Sequence, residues 1–192
     1  DQPSADKVSK AYGTQIDAEK GITKVAALNL CGSSGPEGIH AMLIDGENTV
    51  VTDPDKNHCE NALKSLQHLV VIDLFLTETA ELADIVFPAT AFAETDGVQT
   101  NTERRVQRLR AAVPPPGEAK PDWWIVSEIA KRMGNTQFNH FESAKDVFNE
   151  LCSLSPIYAG LDWDTIGDGE FQWPVPEKGH PGTPRLHEKE FK

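Results

Sequence analysis

Residues 69–108 read LVVIDLFLTETAELADIVFPATAFAETDGVQTNTERRVQR. An apolar run, Leu69-Val70-Val71-Ile72, ends in Asp73. Hydroxyls and carboxylates follow at Thr77, Glu78, Thr79 and Asp84. A second run, Ile85-Val86-Phe87, stops at Pro88, and a loop holding Asp96-Gly97 leads into the basic segment Thr100 to Arg108. Short, wholly apolar runs with polar ends suit strands of a parallel sheet buried on both faces. Such a sheet offers a ligand site along its carboxyl edge.

Working outward, IHAMLI (Ile39 to Ile44) reads as an earlier buried strand, broken by Asp45-Gly46-Glu47-Asn48. Gly46 is free to take the positive φ that a tight turn needs. Val50 to Pro54 continues the loop, and Asp53 or Asp55 starts a helix in which Ala62, Leu63 and Leu66 recur at helical spacing. Residues 39–73 thus form a βαβ unit, which implies a parallel sheet. A short helix, Glu78 to Ala83, precedes a third buried strand, Ile85 to Phe87. Nearer the start, helices are expected over Ala5 to Tyr12 and, capped by Thr23, over Lys24 to Cys31. Gly32-Ser33-Ser34-Gly35-Pro36 follows a helix rather than a strand, which is the wrong setting for a phosphate loop.

Beyond Arg110 the prolines of Val113 to Glu118 dictate an extended strap. Asp122 is expected to cap a helix through Met133 that stops at Gly134, and Ser143 to cap another from Ala144 to Cys152. The tail from Ser153 is aromatic and irregular, with too few apolar residues for a core of its own, so it is expected to wrap another surface. The fold class is therefore α/β: a Rossmann-like three-layer αβα domain over residues 1–118, then a helical and irregular extension over 119–192.

The 192 residues carry a formal net charge of −12. That balance argues against a broad nucleic-acid or anionic-membrane surface, both of which need a basic face. No apolar run approaches a membrane span. Cys31, Cys59 and Cys152 are isolated and read as buried, reduced thiols of a cytoplasmic chain. The six histidines are scattered. No metal-ligand set, and no Ser/His/Asp or Cys/His nucleophile, can be read. The chain opens Asp1-Gln2-Pro3 without an initiator Met, as expected of a processed or truncated piece of something longer.

The candidates are therefore binding residues. At Gly46-Glu47-Asn48 a glycine after a strand lets backbone approach an anionic or ribosyl group. Asp73 ends a strand, where a carboxylate accepts from a ribose diol or a purine edge, or else caps the following turn. Thr77 and Thr79 stand where hydroxyls bind phosphate or cap a helix. Asp84 reads as a bidentate acceptor for guanine or as a solvated strand end. Asn101, Arg104, Arg105, Gln107 and Arg108 form the most basic patch, which is an anion site, a strand edge or a solvated face.

In this order and spacing several segments resemble the molybdopterin oxidoreductase family. They are Gly46-Glu47-Asn48, Val70-to-Ala80, Ala83-to-Ala89, Phe92-to-Gly97, Thr100-to-Arg108, Pro115-to-Ala119 and Pro121-Asp122-Trp123. Together with Gly169-to-Pro174 and Gly179-to-Leu186 they look most like catalytic α subunits of molybdenum- or tungsten-dependent formate dehydrogenases. The resemblance implies a molybdopterin guanine dinucleotide held between two related α/β domains, in an enzyme that oxidises formate to CO2. On matching positions, Gly46, Glu47 and Asn48 would line the dinucleotide. Asp73 and Thr77 would contact its guanosine end with help from Asp84, while Asp96, Gly97, Asn101 and Arg104 would lie nearer the pterin. The implied partners are the rest of the α subunit and electron-transfer subunits. The family's clustered cysteines for an iron–sulfur cluster, and its metal-ligating Cys or selenocysteine before His, are absent here. This chain alone is therefore expected to lack formate oxidation. The alternatives are a stand-alone binding or assembly module, or part of another molybdopterin enzyme such as a nitrate reductase.

Overall fold

The computed structural model describes residues 2–16, 18–136, 140–167 and 169–188. In chain order its elements are α1 (Gln2–Tyr12), α2 (Lys24–Leu30), β1 (Ala41–Asp45), α3 (Thr49–Thr52), α4 (Lys56–Lys64), β2 (His68–Asp73), a 3-10 turn (Ala80–Leu82), β3 (Ile85–Pro88), β4 (Gly97–Thr100), β5 (Arg105–Leu109), α5 (Asp122–Arg132), α6 (Ala144–Leu154) and β6 (Phe171–Gln172). They fall into two compact units that are discontinuous in sequence. One is Lys20–Ala91 with Pro115–Ile125; the other is Asp1–Glu19, Phe92–Pro114 and Val126–Lys192.

The first unit is mixed α/β, built on a three-stranded parallel sheet in the order β1-β2-β3. The central strand β2 buries Leu69, Val71 and Ile72 on both faces, as its continuous apolar run requires. Leu28, Ile44, Val50, Cys59, Ala62, Leu63 and Ala80 complete that core. Two helix starts follow side-chain chemistry. The Thr23 hydroxyl accepts from the Ala26 N–H, and the Asp55 carboxylate from the His58 N–H. Asp55 is thus the cap of α4, while Asp53 accepts from the Asp55 N–H within the preceding turn. Val50-Val51-Thr52, expected as loop, winds into α3. The third strand is not of the buried type expected. As an edge strand it leaves Ile85 and Val86 substantially exposed.

The second unit holds an antiparallel sheet in the order β4-β5-β6. Ser143 and Asp146 form a capping box at the start of α6. The tail makes no core of its own, as expected, and packs on other elements: Leu161, Trp163, Ile166 and Val175 bury themselves with Val106, Phe148 and Cys152. The tail needs few apolar residues because β5 and α6 supply the rest.

Candidate functional site

Parallel pairing collects the ends of β1, β2 and β3 at one edge of the sheet. The register sets Asp45 beside Ile72 and Asp73 beside Pro88, so two carboxylates end adjacent strands. The chain turns at Gly46 with φ 63°, and the Gly46 N–H donates to the Ile72 carbonyl at 2.9 Å. A Cβ built on Gly46 would meet nothing within 4 Å, so the backbone there is open to a ligand. After β3, Ala89 bridges to Lys120, and the Lys120 N–H donates to the Pro88 carbonyl at 3.1 Å. That bridge returns the proline strap to the carboxyl edge and delivers Asp122 there. Asp122 is the first residue of α5 rather than its cap. The capping carbonyl belongs to Pro121, which accepts from the Trp124 and Ile125 N–H groups.

Asp45, Asp73 and Asp122 form an electrostatically coupled set. Burial, and then the charge of Asp73, push the Asp45 carboxyl above the usual carboxylate range. Burial, then Asp45 and Asp73, do the same to Asp122. Among the described residues none of the three has an ion-pair partner. Ionised carboxylates only accept hydrogen bonds. The edge therefore suits a ligand rich in N–H or O–H donors.

Asp73 holds its own turn as well. Its Oδ1 accepts from the Leu74 N–H at 2.6 Å, and its Oδ2 lies 3.5 Å from the Thr77 hydroxyl. Thr77 in turn accepts from the Ala80 N–H at 3.3 Å, the capping arrangement. Capping occupies part of each group and leaves lone pairs over. Glu47 is tied back: it accepts from Lys24 at 2.7 Å and from Thr52 at 2.8 Å, and the Lys24 bond holds its carboxyl below the usual range. Asn48 donates to Glu78 at 2.7 Å and accepts from Thr79 at 2.9 Å.

Asp84 stands apart. It precedes β3, so it lies at the amino edge, a strand length or roughly 13 Å from the carboxyl edge. There its Oδ2 accepts from the Leu69 N–H at 2.7 Å and lies 3.6 Å from His68 Nδ1. Its side chain is exposed, as a solvated strand end would be, and it clamps the start of β2.

The other candidates belong to the second unit. Asp96 accepts from the Ala111 N–H at 3.2 Å, and Gly97 pairs with Leu109. Asn101 builds the hairpin turn, its Oδ1 accepting from the Arg105 N–H at 2.9 Å. Arg104, at φ 66°, donates to the carbonyls of Trp173, Thr183 and Pro184 and lies over the Trp173 ring. Arg105 donates to the Gly169 carbonyl, and Arg108 stacks on Trp163 while donating to its carbonyl. The basic patch thus reads as a set of tail clamps. Sequence reasoning passed over Asp45 and Asp122 as site residues. Asp45 carried the same signal as Asp73, a carboxylate ending an apolar strand.

An open glycine turn beside strand-ending carboxylates, on a parallel sheet, defines an α/β protein with an open carboxyl edge. A family model described as molybdopterin oxidoreductase matches residues 5–132, and the chain belongs to that family. The α subunit of F420-dependent formate dehydrogenase 2 from Methanococcus maripaludis is 44% identical over 98% of this chain, which spans 29% of that subunit. The assimilatory nitrate reductase catalytic subunit of Bacillus subtilis is 35% identical over 96% of the chain, which spans 26% of it. Among solved structures, acetylene hydratase from Pelobacter acetylenicus superposes with a TM-score of 0.64 at 20% identity, over 97% of this chain and 29% of that one, a likeness of fold.

Family membership implies a molybdopterin cofactor. The acceptor set and the open backbone at Gly46 fit a donor-bearing part of such a group. The metal finds no such fit: among the described residues no three His, Cys, Asp or Glu side chains could hold an ion. No helix among them is long and apolar enough to cross a membrane.

Proposed function

We propose that this chain supplies part of the cofactor-binding framework of a cytoplasmic formate dehydrogenase α subunit. Its carboxyl edge would hold the guanosine end of a molybdopterin guanine dinucleotide. The observation that carries the reading is the meeting of Asp45, Asp73 and Asp122 at one sheet edge with no ion-pair partner among the described residues. Guanine offers N1–H and an exocyclic amine side by side, two donors for a carboxylate; adenine presents an acceptor at N1. Gly46 admits the ligand and Thr77 supports Asp73. Glu47 and Asn48 line the same turn. Asp96, Gly97, Asn101 and Arg104 are assigned to the pterin side. Only three of the five N–H donors of Arg104 are committed to the tail. Asp84 is left out of the guanosine site because it lies at the other edge. The cofactor, when bound, supplies redox chemistry at its molybdenum or tungsten. The metal ligand and the iron–sulfur cluster belong to other residues of the α subunit, with electron-transfer subunits as further partners. Formate is favoured over nitrate by the higher identity, 44% against 35%.

The test is calorimetric titration of the 192-residue chain with GDP and with ADP. GDP is expected to bind more tightly. Asp73→Asn keeps an acceptor for the Leu74 N–H but loses the charge. It should weaken GDP by about tenfold or more, the worth of a charge-assisted bond. Asp84→Asn should leave GDP affinity unchanged. Equal affinity for the two nucleotides, or an indifferent Asp73→Asn, overturns the reading.

A further inference from the structure

The two loops at the carboxyl edge are fastened through one buried hydroxyl. Thr79 is 0% exposed. Its Oγ1 accepts from the Val50 N–H at 3.0 Å and pairs with Asn48 Oδ1 at 2.9 Å. A threonine hydroxyl carries one proton, and the Val50 N–H can only donate, so that proton goes to Asn48. The amide is thereby oriented, with Oδ1 toward Thr79 and Nδ2 toward Glu78. The Glu78 Oε2 accepts at 2.7 Å, and this bond holds its carboxyl below the usual range. One of the two Nδ2 protons is then left over, two residues from the open backbone of Gly46.

We propose that Thr79 is a positioning residue for ligand binding. Its hydroxyl presets the Asn48 amide so that the remaining N–H meets an oxygen of the bound nucleotide, on its ribose or its phosphates. Serving only the core, the Thr79 hydroxyl would satisfy the Val50 N–H and nothing more. The bond to Asn48, and the second tether from the exposed Glu78, go beyond that need. The inference rests on the guanosine-end reading of this edge.

The experiment is a double-mutant cycle on the 192-residue chain, with GDP and guanosine as probes. Thr79→Val and Asn48→Ala are each expected to weaken GDP by about tenfold, the worth of one oriented hydrogen bond. Thr79→Ser should stay within about twofold, because it restores both bonds. The double variant should bind no more weakly than Asn48→Ala alone, since the two residues act as one unit. A merely structural role would make the two losses multiply. Glu78→Ala removes an exposed tether and does not threaten the core, so it tests the latch even where Thr79→Val fails to fold. About threefold to tenfold weakening is expected. Losses that persist with guanosine place the contact on the ribose; losses confined to GDP place it on phosphate. Wild-type affinity in Thr79→Val or in Glu78→Ala, or multiplying losses, overturns the latch alone. A wild-type chain that binds neither probe overturns the guanosine-end reading and the latch with it.

Discussion

Arg104 offers a sharp separation between a ligand-facing and a structural arginine. Its backbone sits at φ 66°, in the left-handed region, and its guanidinium donates to the carbonyls of Trp173, Thr183 and Pro184. Hydrogen bonds from a charged donor are worth about 1.5–3 kcal/mol each when sheltered. The bond to Pro184 is exposed and counts for little; the other two are partly buried. Taking the low end twice, Arg104→Ala should cost about 3 kcal/mol of unfolding free energy. The left-handed conformation costs an L-residue about 1 kcal/mol that glycine does not incur. Arg104→Gly should therefore be about 1 kcal/mol more stable than Arg104→Ala, reversing the ordinary order of the two residues. The assay is urea unfolding followed by tryptophan fluorescence, which Trp163 and Trp173 in this unit report. An alanine variant within about 0.5 kcal/mol of wild type would sink the clamp. A glycine variant less stable than alanine would refute the backbone argument.

Two further outcomes follow from the carboxyl edge. Asp45 and Asp122 have their carboxyls raised above the ordinary value by burial first and by neighbouring carboxylates second, Asp73 for Asp45, and Asp45 and Asp73 for Asp122. A raised folded pKa means the folded chain binds protons more tightly than the unfolded one. Stability should thus fall as pH rises from the ordinary value of 3.8 through the raised folded values. Asp122→Asn should flatten that stretch of the melting-temperature profile, and an unchanged slope would contradict the coupling. Gly46→Ala meets open space, so its cost is conformational alone, about 1–2 kcal/mol by urea unfolding, and a neutral result would show that the turn relaxes.

The first sheet was legible because each of its strands is a short apolar run and its helices begin at Thr23 and Asp55, whose side chains do the capping. The second was hidden for physical reasons. Gln99 and Thr100 give β4 no apolar alternation, and the hairpin turns through Arg104 where a glycine would have announced the left-handed residue. The tail core draws Leu161, Trp163, Ile166 and Val175 from irregular chain, so no period marks them. Asp73 and Asp45 could be paired from the sequence as ends of neighbouring parallel strands. Asp122 could not, because it reaches the edge through the Ala89–Lys120 bridge, a long-range contact that leaves no local pattern.

The two ends of the parallel sheet divide their polar groups by purpose. At the amino edge Asp84 meets a donor, the Leu69 N–H, and is spent on structure. At the carboxyl edge Asp45 and Asp122 are held where partial burial first, and neighbouring carboxylates second, oppose their ionisation. That arrangement disfavours the charged forms of both side chains, and a carboxamide in either place would relieve it. Polar groups kept at a cost to stability mark sites whose partner arrives from outside the fold. Thr79, by contrast, commits its single proton inward to fix Asn48. As proposed above, the edge would combine acceptors for a ligand with an amide donor that Thr79 orients. On the proposed reading that combination suits a nucleotide, whose base offers N–H groups and whose sugar and phosphates offer oxygens.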